Sequence, residues 1–222
     1  EAVRGRIADA AKGAGRDPDR VTLIGVSKRQ PDERLFAAYE AGLRDFGENT
    51  VQELSRKAEL FSERGWQVRW HFLGYLQRNK VNALLRAKVH RIHTVDRETL
   101  VDALAKRAPP EGLDVLAEIN LGAEDQKAGV IPEALPGLLD SFAAHPELRL
   151  RGLMAIPPVD GREQHHFDTL RGLRDAHAGH AAMRAGDELS MGMSNDFEAA
   201  VAAGATWIRV GTRIFGPRPT KD

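Results

Sequence analysis

Short runs of β-branched and apolar residues alternate with amphipathic helical stretches along the whole chain, and this alternation restricts the fold more than any other feature. After a lead-in helix over 1–14, with Val3, Ile7 and Ala10–Ala11 on one side, strands are predicted at 21–27, 44–47, 68–73, 89–95, 113–121, 148–156, 188–191 and 206–210. Helices are predicted between them at 31–41, 51–64, 77–87, 97–107, 132–144, 163–178 and 196–203. The spacing is about 26 residues from one strand to the next, which suits a repeated βα unit. Strict alternation forces parallel pairing through right-handed crossovers, either in a doubly wound sheet or in a closed barrel. Eight units favour the barrel. A doubly wound nucleotide fold should also show Gly-x-Gly-x-x-Gly after its first strand. The nearest match, Gly13-Ala14-Gly15-Arg16-Asp17-Pro18, precedes that strand and ends in proline. The expected architecture is one (β/α)8 TIM-type barrel over residues 1–222 with an N-terminal lead-in helix, and no linker or second domain.

Composition narrows the partners. Lys plus Arg and Asp plus Glu both number 32, so the formal charge is zero and no basic stripe points to nucleic acid. No run approaches the ~18 apolar residues of a membrane span. The N-terminal Glu1-Ala2-Val3-Arg4-Gly5-Arg6 lacks the apolar core of a secretory signal. With no cysteine, disulfides, a thiol nucleophile and cysteine-ligated zinc are excluded, and a cytoplasmic location is expected.

In a parallel barrel, functional groups sit at the C-terminal strand ends and in the loops that follow. The first strand ends in Val26-Ser27-Lys28. An ammonium at the rim of an apolar core is disfavoured unless paired or neutralised, and a lysine so placed can become a Schiff-base nucleophile. On position alone, the simpler reading is that Lys28 begins the solvated loop Lys28-Arg29-Gln30. On the last strand, alternation puts Trp207 and Arg209 on one face and Ile208 and Val210 on the other, so Arg209 should point inward or toward the mouth. Its partner there would be a bound anion, a ring acceptor, or Glu118 on the fifth strand. Met191-Gly192-Met193-Ser194-Asn195-Asp196 and Gly211-Thr212-Arg213 follow the seventh and eighth strands, where this fold recurrently binds phosphate. Helix capping by Ser194 or Asn195 is the compatible alternative. Weaker signals are His177 and His180, three apart and more plausibly a solvated face than a metal pair, and Glu48, Asp96 and Glu118, which could supply a glycosidase pair.

Six ordered motifs resemble the pyridoxal phosphate homeostasis proteins (YggS/PROSC type). They are Val26-Ser27-Lys28; Phe46-Gly47-Glu48-Asn49 with Val51-Gln52-Glu53; Trp70-His71-Phe72-Leu73-Gly74-Tyr75-Leu76-Gln77 with Asn79-Lys80; Arg151-Gly152-Leu153-Met154-Ala155-Ile156-Pro157; Leu189-Ser190-Met191-Gly192-Met193-Ser194; and Arg209-Val210-Gly211-Thr212 with Ile214-Phe215-Gly216. The resemblance implies a barrel related to the N-terminal domain of alanine racemase that carries pyridoxal 5′-phosphate (PLP) covalently on a lysine. By position, Lys28 matches that lysine. Ser194, Gly211 and Thr212 match the phosphate cradle, with the Met193 backbone beside them. Arg209 matches the arginine facing the pyridine nitrogen, and Asn49 and Met154 match groups flanking the ring. Tyr75 departs from the smaller residue or proline usual there and is expected to alter access to the ring.

The resemblance further implies a protein that buffers PLP or delivers it to PLP-dependent apo-enzymes, without robust catalysis, and a monomer is expected. An arginine at the pyridine nitrogen favours the unprotonated ring and weakens the electron sink that carbanion chemistry needs. One lysine supplies acid–base chemistry on one face only, and no region after Gly211 offers the second acid–base group that racemases draw from another domain. A weak PLP-dependent racemase is the first alternative, and a Schiff-base aldolase the second.

Overall fold

The computed structural model describes residues 1–122, 124, 126–184 and 186–218. Its strands are β1 (Thr22–Val26), β2 (Asp45–Glu48), β3 (Arg69–Phe72), β4 (Arg91–Val95), β5 (Leu113–Ile119), β6 (Leu148–Ala155), β7 (Glu188–Ser190) and β8 (Trp207–Val210). They pair in sequence order, all parallel, and β8 returns to β1 to close the barrel. The helices are α1 (Ala2–Gly13), α2 (Asp32–Glu40), α3 (Val51–Glu63), α4 (Val81–Arg86), α5 (Glu98–Ala105), α6 (Leu135–Ala143), α7 (Glu163–Ala176), α8 (Phe197–Ala202) and α9 (Thr212–Phe215). The predicted (β/α)8 barrel with a lead-in helix is therefore the observed fold.

Boundaries differ where local chemistry overrides periodicity. The helix predicted from Pro132 starts as a 3-10 turn at Pro132–Ala134 and becomes α only at Leu135, because Pro136 has no N–H for the helical ladder. Residues Arg78–Lys80 are likewise a 3-10 turn ahead of α4. The last strand is followed by α9, a short helix that hydrophobic periodicity is too brief to reveal.

The outer faces of the strands and the inner faces of the helices form the main apolar core. Between α2, α3 and β2, the rings of Phe36, Phe46, Phe61 and Trp66 meet at centroid distances of 5.4–5.8 Å, mostly edge-on or tilted. The lead-in helix buries Ile7 and Ala11 and is tied to α8 by two hydrogen bonds from Arg6 to Glu198, both 2.7 Å. Arg16 just beyond it donates to the carbonyls of Gly204 and Ala205 at 3.2 and 2.9 Å.

Inside the barrel, Ile24, Leu73 and Trp207, with Val26 against them, form a small apolar cluster. Around it lie many polar groups, whereas interiors of this fold are dominated by branched apolar residues. Arg91, His71, His93, Ser190 and Arg209 are all at most 4% exposed. No helix among the described residues is long and apolar enough to cross a membrane.

Candidate functional site

Parallel strands bring all eight C-terminal ends to one mouth, and a cavity of about 150 Å³ opens there. Its walls include Lys28, Asn49, Met193, Ser194, Arg209, Gly211 and Thr212, seven of the eight residues expected from the sequence. Met154 is the exception. It is fully buried on β6, two residues before Ile156, which takes a place in the wall. Side chains two apart on a strand share a face, so Met154 lies one layer deeper than expected. Val26, Leu73, Gln30 and Arg218 complete the lining.

Lys28 lies two residues beyond the end of β1 and is partly buried. Burial holds its ammonium pKa below the ordinary value, helped by the like charges of Arg218 and Arg29 and opposed by Glu48 and Glu53. A buried network shapes the turn that carries it. Lys57 on α3, with no exposed surface, donates to Glu48 Oε1 at 2.6 Å, to the Ser27 carbonyl at 2.8 Å and to Glu53 Oε1 at 3.3 Å. The Ser27 hydroxyl donates to the same Glu48 oxygen at 2.6 Å. The next residue, Arg29, adopts a left-handed φ of 57°, uncommon outside glycine. Its N–H donates to Glu53 Oε1 at 2.9 Å, which holds that conformation. Thr50 and Glu53 stand at capping-box positions on α3. Thr50 accepts from the Glu53 N–H, while the Glu53 carboxylate serves the lysine turn.

Arg209 lies opposite Ile24 of β1, the strand that Lys28 follows by two residues. It is buried, and this lowers its pKa to about 10, still a cation at neutral pH. It donates to Ser190 Oγ at 2.8 Å and to the Ala155 carbonyl at 2.9 Å. The ion pair with Glu118 considered from the sequence is not among the described contacts. Glu118 acts on Arg209 only as a nearby charge, and its own pKa is pushed up to about 7 by burial and by Asp96.

The loop after β7 turns at Gly192, whose φ of 89° and close approach to Ala200 leave no room for a side chain. The Met193 N–H donates to Asp196 Oδ1 at 2.5 Å, so this amide is not free for an anion. Among the described residues the Ser194 and Asn195 N–H groups have no partner. Neither residue caps α8, whose N-cap is Asp196. Across the cavity, Gly211 faces the Val26 carbonyl so closely that an added Cβ would sit 3.2 Å from it. Thr212 follows, exposed. Free amides, two hydroxyls and Arg218 make this rim suited to a phosphate. Arg218 was not anticipated, since a lone arginine beyond the last strand has no periodic signal.

Tyr75 does not face this cavity. It is 59% exposed and stacks on Arg97 at 4.5 Å over a separate surface groove, so the expected effect on ring access is not supported. His177 and His180 are spent on the Leu173 carbonyl and on Asp140. No cluster of metal-ligating side chains occurs among the described residues. Of the three carboxylates considered for a glycosidase pair, Glu48 is committed to Lys57 and Ser27, and Asp96 is bonded to Arg97.

The sequence profile of the alanine racemase N-terminal domain matches residues 26–219, so the fold and site define a barrel of that class. The pyridoxal phosphate homeostasis protein of Pseudomonas aeruginosa is 44% identical, with 97% of this chain and 93% of that one covered. The protein of the same name from Escherichia coli K12 is 42% identical over 97% of this chain and 94% of its own length. The chain belongs to the pyridoxal phosphate homeostasis protein family. Among solved structures, PipY of Synechococcus elongatus with PLP bound superposes with a TM-score of 0.83 at 36% identity, covering 95% of this chain and all of that one. Alanine racemase of Corynebacterium glutamicum, 16% identical with a TM-score of 0.71 over 62% of its length, shares the fold.

Proposed function

We propose that this chain, as one PLP-binding unit, holds pyridoxal 5′-phosphate as a Schiff base on Lys28 and serves PLP homeostasis in the cytoplasm rather than amino-acid turnover. The observation that supports this most is the convergence of three unlike groups on one cavity. A lysine whose pKa is lowered by burial, a buried arginine and a rim of free amides and hydroxyls are what an aldehyde, a pyridine ring and a phosphate need. Bound PLP would supply an electrophilic carbonyl and an electron-withdrawing ring. Lys28 binds that carbonyl, and its depressed pKa raises the share of neutral amine able to do so. Ser194, Gly211 and Thr212 hold the phosphate, with Arg218 adding charge. Asn49 flanks the ring. Arg209 faces the pyridine nitrogen and, as a cation, disfavours its protonation.

The same residues favour a carrier over a racemase. Among the described lining residues there is no tyrosine, histidine or carboxylate to serve as a second acid–base group opposite Lys28. The proposal extends to a monomer that passes PLP to PLP-dependent apo-enzymes. The test is the visible spectrum of the purified protein before and after borohydride reduction, followed by peptide mapping and a chiral amino-acid assay. A yellow protein that bleaches, is labelled at Lys28 and leaves alanine unracemised is expected. A colourless protein, a label on Lys80 or Lys127, or racemisation at enzymatic rates would overturn the proposal.

A further inference from the structure

Below the cavity, Arg209 heads an unbroken line of buried hydrogen bonds that crosses the barrel interior. Arg209 Nη1 donates to Ser190 Oγ at 2.8 Å. Ser190 Oγ lies 2.9 Å from His93 Nδ1, His93 Nε2 lies 3.0 Å from His71 Nδ1, and His71 Nε2 lies 3.0 Å from Asp45 Oδ1. Asp45 is clamped from the far side by Arg69, at 2.7 and 2.6 Å. Ser190 and both imidazoles have no exposed surface. Five residues from strands β2, β3, β4, β7 and β8 thus form one series, and the cavity lining includes none of His93, His71 and Asp45.

The direction of the series follows from proton counting. Asp45 is an acceptor, since hydrogen bonds from His71 and Arg69 outweigh its burial and hold its pKa below the usual value. His71 must therefore donate through Nε2. Burial holds His71 neutral, with a pKa near 4, and lowers His93 well below its ordinary value. A neutral His71 then has a bare Nδ1, which accepts from His93 Nε2–H. His93 in turn has a bare Nδ1, which accepts the Ser190 hydroxyl proton. Ser190 is left with its lone pairs toward Arg209. The reversed arrangement would set a bare nitrogen against the Asp45 carboxylate and strand a buried acceptor pair, at the cost of an unmade hydrogen bond. Trp207 packs against both imidazoles, with ring centroids 5.0 and 5.9 Å away, and restricts their rotation.

We propose that His93 and His71 are positioning residues for Arg209: through Ser190 they fix which edge of the guanidinium is bonded downward and which edge is left to face the cavity. The inference rests on the PLP reading only for what Arg209 meets there. The line itself belongs to the cofactor-free protein. With Ser190 correctly turned, Arg209 is held at two points, Ser190 and the Ala155 carbonyl. With Ser190 free to rotate, one point remains.

Nitrogen NMR of isotope-labelled, cofactor-free protein tests the series directly. At neutral pH, His71 and His93 should each show a protonated Nε2 and a bare Nδ1, and His93→Leu should shift the Arg209 guanidinium signals. A proton on either Nδ1, or Arg209 signals that do not move, would refute the proposal. In PLP-loaded protein, His93→Leu should move the pyridine-nitrogen signal of labelled PLP and release the cofactor about tenfold faster, the equivalent of one hydrogen bond. Ser190→Ala should do the same, and the double variant should be no worse than either. His93→Asn, whose amide oxygen replaces Nδ1 as the acceptor for Ser190, should restore the wild-type signal. Additive losses, or no rescue by asparagine, would reduce the histidines to packing and refute a positioning role. Should wild-type protein take up no PLP, the functional proposal falls, while the histidine and Arg209 signals still decide this one.

Discussion

Replacing Lys57 with methionine removes the cation that organises the Lys28 turn, and the size of the effect can be worked from the contacts. Lys57 and Glu48 have no exposed side-chain surface and meet at 2.6 Å. The substitution keeps most of the aliphatic stem but deletes bonds to Glu48, to the Ser27 carbonyl and, more weakly, to Glu53. Glu48 would be left buried with only the Ser27 hydroxyl, its Oε2 already lacking a partner. Removing one member of such a pair typically costs about 3–5 kcal/mol, roughly 10 °C in Tm for a protein of this length. Burial already raises the Glu48 pKa, and Lys57 is the chief influence pulling it down. Without Lys57 the folded-state value rises further above the unfolded one. The variant then binds more protons folded than unfolded, and stability present at low pH is lost as pH rises through the folded pKa. Urea denaturation of both proteins at pH 5 and pH 8 should show a deficit that grows toward pH 8. Adding Glu48→Leu should recover part of the loss, because the stranded charge is gone. A deficit below about 1 kcal/mol at pH 8, or one that shrinks as pH rises, would refute the reasoning.

Lys28→Ala should abolish borohydride labelling by PLP while moving the urea midpoint by no more than about 0.5 kcal/mol equivalent, because a rim lysine contributes little packing. Retained labelling would relocate the site. Ser194→Ala with Thr212→Ala should weaken PLP retention by roughly 1–3 kcal/mol, measured by equilibrium dialysis, and unchanged retention would remove both from the phosphate cradle. Glu118→Gln should make the protein more stable at pH 8, by up to roughly 3 kcal/mol. Its carboxyl titrates near 7 when folded, so the wild type loses stability as pH rises from the ordinary carboxylate range through that value. Equal urea midpoints for the variant and wild type at pH 8 would show that Glu118 is not so perturbed.

The sequence by itself determined the barrel and most of its mouth. Eight βα units leave few ways to bury eight apolar strands, and the C-terminal ends of parallel strands must share one face. Lys28 after β1, Arg209 on β8 and the small-residue turns at 192–194 and 211–212 were therefore legible as a common site, because each is defined by its distance from a strand end. The glycine at 192 was legible for a local reason, a tight turn, although the crowding against Ala200 that enforces it comes from a helix.

Tertiary structure decided what lies one layer away. Whether Met154 or Ile156 reaches the cavity depends on how far β6 extends into the mouth, a matter of register and stagger that alternation along one strand does not contain. The Met193 amide was a plausible anion donor until Asp196, three residues on, claimed it. Lys57 reads as one more charge on an amphipathic helix, yet folding removes it entirely from water, because Glu48, Glu53 and the Ser27 carbonyl converge on it from β2, α3 and the end of β1. The line from Arg209 to Asp45 is the extreme case. Its members span positions 45 to 209, and no spacing relates them, since barrel closure alone sets those strands side by side. Periodicity records which face of an element is dry. It does not record which polar groups meet across the interior, because those contacts come from strands whose separation in sequence is set by the intervening helices.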